Sequence, residues 1–177
     1  MLDSMAAIDS PQLPRRPGAA FLRSHPAHLI ALGFGTGLLR PGPGTWGTAA
    51  SWLGFVALGR AVELSTVAQV LLGVAALVVG TWAAGRAGSA LGQPDAGEIV
   101  IDEIAAFWLL LALLPTGERP WAMQAVAFVL FRLFDILKPA PIGWIERRWP
   151  GAVGVMADDV MAAAYALLVI ELWIRLP

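Results

Sequence analysis

The segment FRLFDILKP, Phe131 to Pro139, sets three charges, Arg132, Asp135 and Lys138, into an otherwise apolar run. On an α-helix the offsets of three and six keep them within roughly a third of the circumference, as one polar stripe beside Leu130, Phe131, Leu133, Phe134, Ile136 and Leu137. Such a stripe needs partners. Two readings fit it: a buried Arg–Asp pair that only fixes helix packing, or charged groups held away from water for chemistry. Lys138 favours the second, as the only lysine in a chain with eleven arginines. A residue before proline is pushed out of helical geometry, so the helix is expected to end there and turn Lys138 toward whatever lies at its mouth.

The surrounding composition is that of a membrane protein. Of 177 residues, 58% are hydrophobic and 14% charged, too apolar for an ordinary soluble domain of this size. A net charge of −1 gives no basic surface for nucleic acid, and no protein partner is inferred. Without cysteine there is no disulfide, thiolate metal site or cysteine-phosphatase chemistry.

Outward from the central segment, the chain reads as an all-α, compact, membrane-embedded bundle of about five to six helices. Residues 1–27, with four prolines and no continuous apolar core, read as a flexible arm, and 28–177 as a single helical domain. GFGTGLLRPGPGTWGTAAS, Gly33 to Ser51, reads as a glycine-rich loop that turns backbone N–H groups toward an anion, with Gly44, Thr45, Gly47 and Thr48 where a helix N-terminus favours phosphate. A plain connector capped by Thr45 is the alternative. Helices are expected over Thr45–Arg60, Ser65–Leu91, Ile99–Leu114, Trp121–Leu137 and Val160–Ile174, the third and fourth joined by a tight turn over 115–120. Alternating direction gathers the charged motifs at one end of the bundle. Nine basic residues fall on that side: Arg15, Arg16, Arg23, Arg40, Arg86, Arg132, Lys138, Arg147 and Arg148. Three, Arg60, Arg119 and Arg175, fall on the other, which by the positive-inside rule turns the polar mouth to the cytoplasm.

Two acidic groups complete the constellation. Asp95, Glu98 and Asp102 share one face if the helix begins that early, and Glu103 follows. For Asp95 and Glu98 a solvated helix N-terminus is the alternative. Asp158 and Asp159 stand before VMAAAYALLVI, where one of them would suit an N-cap. Clustered carboxylates repel unless a cation sits among them, and with only oxygen ligands the natural one is a hard divalent ion, Mg²⁺ before Ca²⁺. Arg132 and Lys138 would then hold phosphate oxygens, with Mg²⁺ polarising the phosphorus and activating a water. Both histidines, His25 and His28, lie outside these motifs.

GFGTGLLRPGPGTWGT, the run DAGEIVIDE from Asp95 to Glu103, FRLFDILKPAPI and GVMADDVMAAAYA, in this order, resemble the phosphatidylglycerophosphatase A family over roughly Leu29 to Leu168. The resemblance implies an all-α, Mg²⁺-dependent lipid phosphatase of the bacterial inner (cytoplasmic) membrane that converts phosphatidylglycerophosphate to phosphatidylglycerol and phosphate. The motif positions are Asp95, Asp102, Glu103, Arg132, Asp135, Lys138, Asp158 and Asp159. Of these, Asp95, Asp102, Glu103, Asp158 and Asp159 are expected to hold metal. Asp102, Glu103, Asp135, Lys138, Asp158 and Asp159 are expected to be catalytic, and Arg132 and Lys138 to bind substrate. The chain departs from the family pattern with Thr36 and Thr48 for serine, and Ala106 and Ala163 for glycine. The rival is a small membrane transporter with carboxylate coupling sites. Against it, the charges gather at one end instead of the midplane, and there is no internal repeat.

Overall fold

In the computed structural model, residues 16–115, 120–149 and 151–176 are described. The expected turn over 115–120 and most of the expected arm, together with Arg15, Arg119 and the Arg147 side chain, lie outside that description.

The chain starts with two short helices, α1 (Ala19–Ser24) and α2 (Pro26–Ala31), and a 3-10 turn over Gly33–Leu38. Helical structure therefore begins inside the expected 1–27 arm. Pro26 supplies a preset φ at the first position of α2, and the His25 ring accepts the Ala27 N–H at 3.0 Å. Five long helices follow: α3 (Pro43–Ala61), α4 (Thr66–Leu91), α5 (Ile101–Leu113), α6 (Pro120–Leu137) and, after the short α7 (Ile142–Arg148), α8 (Ala152–Arg175). No strand occurs among the described residues.

Local chemistry sets most boundaries. The Ser65 hydroxyl accepts the Ala68 N–H to open α4, and Gly92 closes it in the left-handed conformation that a side chain disfavours. Pro139 ends α6, leaving Lys138 at φ +42.

Two expectations are corrected here. The stretch Gly33–Ser51 is mostly helical, with α3 starting at Pro43; Gly37, Gly44 and Gly47 answer to close packing, and Gly35 and Gly42 to positive φ. Helix α8 begins at Ala152, eight residues before Val160, so Asp158 and Asp159 lie about two turns inside it and neither is an N-cap.

Helix α5 is the centre of the packing, touching α3, α4 and α8, while α6 and α7 lean on α8. One core joins Phe107 and Leu110 of α5, Phe131 of α6 and Ile170 of α8. The other is made of small residues, among them Ala27 and Ala31 of α2 and Ala83, Ala84 and Ala87 of α4, set against Ile99 and Ile101. Small side chains bring these backbones close. The opposite face of α4 leaves Val67, Leu71, Val74, Val78 and Trp82 exposed at helical spacing, as suits a lipid-facing surface. Helices α4, α6 and α8 are long and apolar enough to cross a membrane. Helix α5, with 13 residues, is about 20 Å long and falls short of a 30 Å hydrocarbon core. It is carried by its neighbours.

Candidate active site

Alternation of α3, α5, α6 and α8 brings the polar motifs to one end. The carboxylates of Asp102 and Glu103, in the first turn of α5, meet that of Asp159, and their nearest oxygens all lie within 4.8 Å of one another. Asp102 and Asp159 are almost wholly buried. Their depth follows from α8: Asp159 is seven residues past its start, roughly 10 Å below the helix end. Glu103 Oε2 and Asp159 Oδ2 are buried and accept no hydrogen bond among the described residues.

Arg132 flanks this trio. Its Nη1 lies 2.6 Å from Asp135 Oδ2 and 3.5 Å from Glu103 Oε1, and its buried Nε donates to nothing described. The i, i+3 spacing of Arg132 and Asp135 gives the pair its geometry, so Asp135 holds the guanidinium in place. On the other side of Asp159, Asp158 receives Lys138 Nζ at 2.6 Å. Consecutive residues on a helix point about 100° apart, so the two aspartates serve two corners. Among the described residues five carboxylates thus face two cations, and an all-oxygen trio with buried acceptors to spare fits a hard divalent ion.

Gly44 closes the fourth side. A Cβ there would collide with Glu103 Oε1 and stand 3.0 Å from Arg132 Nη1, so only glycine lets α3 press its first turn against this ion pair. The other loop residues do different work. Gly47 packs on Val100, the buried Thr48 donates its hydroxyl to the Gly44 carbonyl at 2.8 Å, and Thr45 is exposed. The Thr45 and Trp46 amides bond to the Gly42 carbonyl, leaving Gly44 as the candidate backbone donor of this turn.

Asp95 is not brought to the trio. Helix α5 starts at Ile101, so the shared helical face expected for Asp95, Glu98 and Asp102 never forms, and Asp95 sits exposed in the preceding turn. Glu98 pairs instead with Arg40 at 2.6 Å. That pair, at the rim, was not legible from sequence, where Arg40 counted only toward orientation; no local spacing signals it.

A family model described as Phosphatidylglycerophosphatase A matches residues 29–174. The chain is similar to phosphatidylglycerophosphatase A of Haemophilus influenzae, 37% identical over 147 residues, covering 82% of this chain and 87% of that protein. It is equally similar to phosphatidylglycerophosphatase A of Escherichia coli, 37% identical over 156 residues, covering 85% and 86%. A Bacteroides thetaiotaomicron protein provisionally named a phosphatidylinositol-3-phosphatase is also 37% identical, over 147 residues, covering 80% and 89%. No solved structure matches.

Proposed function

Since the chain belongs to the phosphatidylglycerophosphatase A family, we propose that it hydrolyses the terminal phosphomonoester of phosphatidylglycerophosphate to phosphatidylglycerol and inorganic phosphate, with Mg²⁺ held at the buried carboxylates. The observation that carries the metal is the crowding of Asp102, Glu103 and Asp159 around buried oxygens with no hydrogen-bond donor. These three residues would hold the ion. When bound, it supplies Lewis-acid chemistry, drawing charge from the phosphoryl oxygens.

The chain's own groups do the rest. Arg132, fixed by Asp135 and Glu103, keeps donors in reserve beside the Gly44 turn and orients the phosphate. Lys138, about one-third exposed at the mouth, adds a second positive charge where charge builds in the transition state. Asp135 and Asp158 are positioning residues, acting through Arg132 and Lys138. The proposed setting is the bacterial inner membrane with the site toward the cytoplasm. Three spanning-length helices and the nine-to-three asymmetry of basic residues support it.

The test is phosphate release by detergent-solubilised protein from phosphatidylglycerophosphate and from phosphatidylinositol 3-phosphate, each in Mg²⁺ and in EDTA. Release from the first lipid in Mg²⁺ alone is expected. Folded protein that frees no phosphate from either lipid sinks the phosphatase reading, equal rates in EDTA remove the metal, and preference for the inositol lipid reassigns the substrate.

A further inference from the structure

Below the carboxylates, α5 and α8 part. Ala106 follows Asp102 by four residues and Ala163 follows Asp159 by four, so each stands one turn, about 5.4 Å, deeper along its helix. Both alanines line an apolar cavity of about 150 Å³ between α5 and α8, reaching Leu113 and Leu167. A second apolar cavity of about 400 Å³ lies between α4 and α8, against Leu77 and Met156. Val160 lines both, but the second runs toward Val153, on the mouth side of Asp159. Every side chain lining the first cavity is Ala, Leu or Val, so it offers water no side-chain partner. Apolar cavities of about 150 Å³ stay dry and accept hydrocarbon.

Dimensions and placement identify the occupant. From Val160 to Leu167 the first cavity forms a track that follows α8 for roughly 10 Å, within the ~15 Å of hydrocarbon in one leaflet. Its wall is a spanning-length helix, and its rim is open, with Ala164 and Leu113 exposed. One end lies a turn from the ligand trio. We propose that this track seats an acyl chain of the substrate lipid, and that the seated chain sets the headgroup phosphate against the carboxylates above it. The inference rests on the lipid-phosphatase reading and adds the second half of the substrate.

The experiment compares wild type with Ala164→Phe, a rim residue outside the charged site, on phosphatidylglycerophosphate carrying dioleoyl or dihexanoyl chains. Blocking the rim is expected to raise KM for the dioleoyl lipid on the order of tenfold and leave the dihexanoyl lipid unchanged. Equal effects on both lipids, no effect on either, or a change of oligomeric state that makes the track an interface between copies would overturn it. A wild type inactive on both lipids would instead mark failure of the phosphatase reading. In parallel, wild-type protein is photolabelled with phosphatidylglycerophosphate bearing a diazirine on one chain. Labels within 106–113 and 160–167 are expected; labels confined to other faces, such as that of α6, overturn the proposal without any variant.

Discussion

Asp158 and Asp159 are neighbours in sequence, yet they belong to two corners of opposite electrostatic character. Asp158 meets the Lys138 ammonium, a carboxylate against a cation, at 2.6 Å. Asp159 joins Asp102 and Glu103 with oxygens within 4.8 Å, and the trio's only described cation is Arg132, whose closer contact is Asp135. The first corner sets opposite charges together. The second gathers like charges away from water, where their repulsion is poorly screened, and so is a corner that fits a cation. Fold and function thus weigh differently on the two. The Lys138 pair ties the end of α6 to α8, whereas the trio's like charges weaken the fold in the absence of a cation.

The largest expected effect comes from breaking the unbalanced corner. Asp159→Asn should lower turnover on the order of 1000-fold or more, as removal of an ion ligand would. It should also raise the melting temperature in EDTA, since one of three crowded charges is gone. In the wild type, Mg²⁺ should restore the advantage through binding to the folded state only, and this Mg²⁺-dependent rise should vanish in the variant. Thermal unfolding with and without Mg²⁺, beside phosphate release, reads both effects. A variant that keeps its rate and its Mg²⁺-dependent rise would make the trio structural.

Next in size is Lys138. Losing a charge-assisted contact made in the transition state removes about 2–4 kcal/mol, so Lys138→Ala should reduce turnover on the order of 30- to 1000-fold, with the Mg²⁺-dependent rise in melting temperature retained. Lys138→Arg should fall between alanine and wild type, because a planar guanidinium presents a fork of donors where the site holds a compact ammonium 2.6 Å from Asp158. Steady-state turnover of the arginine variant decides the role of this corner. Wild-type rates would mean that Lys138 only balances Asp158.

These corners also mark where sequence was a sufficient guide. The runs that became α4, α5 and α6 were bounded to within two residues, because proline, glycine or a capping serine punctuates long apolar stretches. The convergence of Asp102, Glu103, Arg132 and Asp159 followed from helix direction alone. The start of α8 did not. Two aspartates before an apolar run carry the local signature of a helix start, and the Lys138 ammonium that meets Asp158 inside the helix is remote in sequence. The glycine-rich stretch misled for a related reason. Gly44 and Gly47 are small because Glu103, Arg132 and Val100 press on them, contacts that no local pattern announces.

The smallest effects should come at the rim, where they define the edge of the proposed ion site. Asp95 is exposed in its turn, and Glu98 is bonded to Arg40, whose side chain is 49% exposed. If either acid were a ligand, its amide variant would behave as Asp159→Asn. The geometry argues otherwise: Asp95 lies outside the carboxylate group, and Glu98 already has a cationic partner. Asp95→Asn should therefore leave turnover and the Mg²⁺-dependent rise in melting temperature at wild-type levels. Glu98→Gln and Arg40→Ala should each lower stability by no more than about 1 kcal/mol, the usual worth of a solvent-exposed ion pair, and added salt should shrink that difference. Titrating Mg²⁺ into each variant, with melting temperature followed at low and high salt, separates the possibilities. A right-shifted Mg²⁺ titration in Asp95→Asn would extend the ion site to the turn before α5, and the contrast between a self-balanced rim and an unbalanced trio would fail there first.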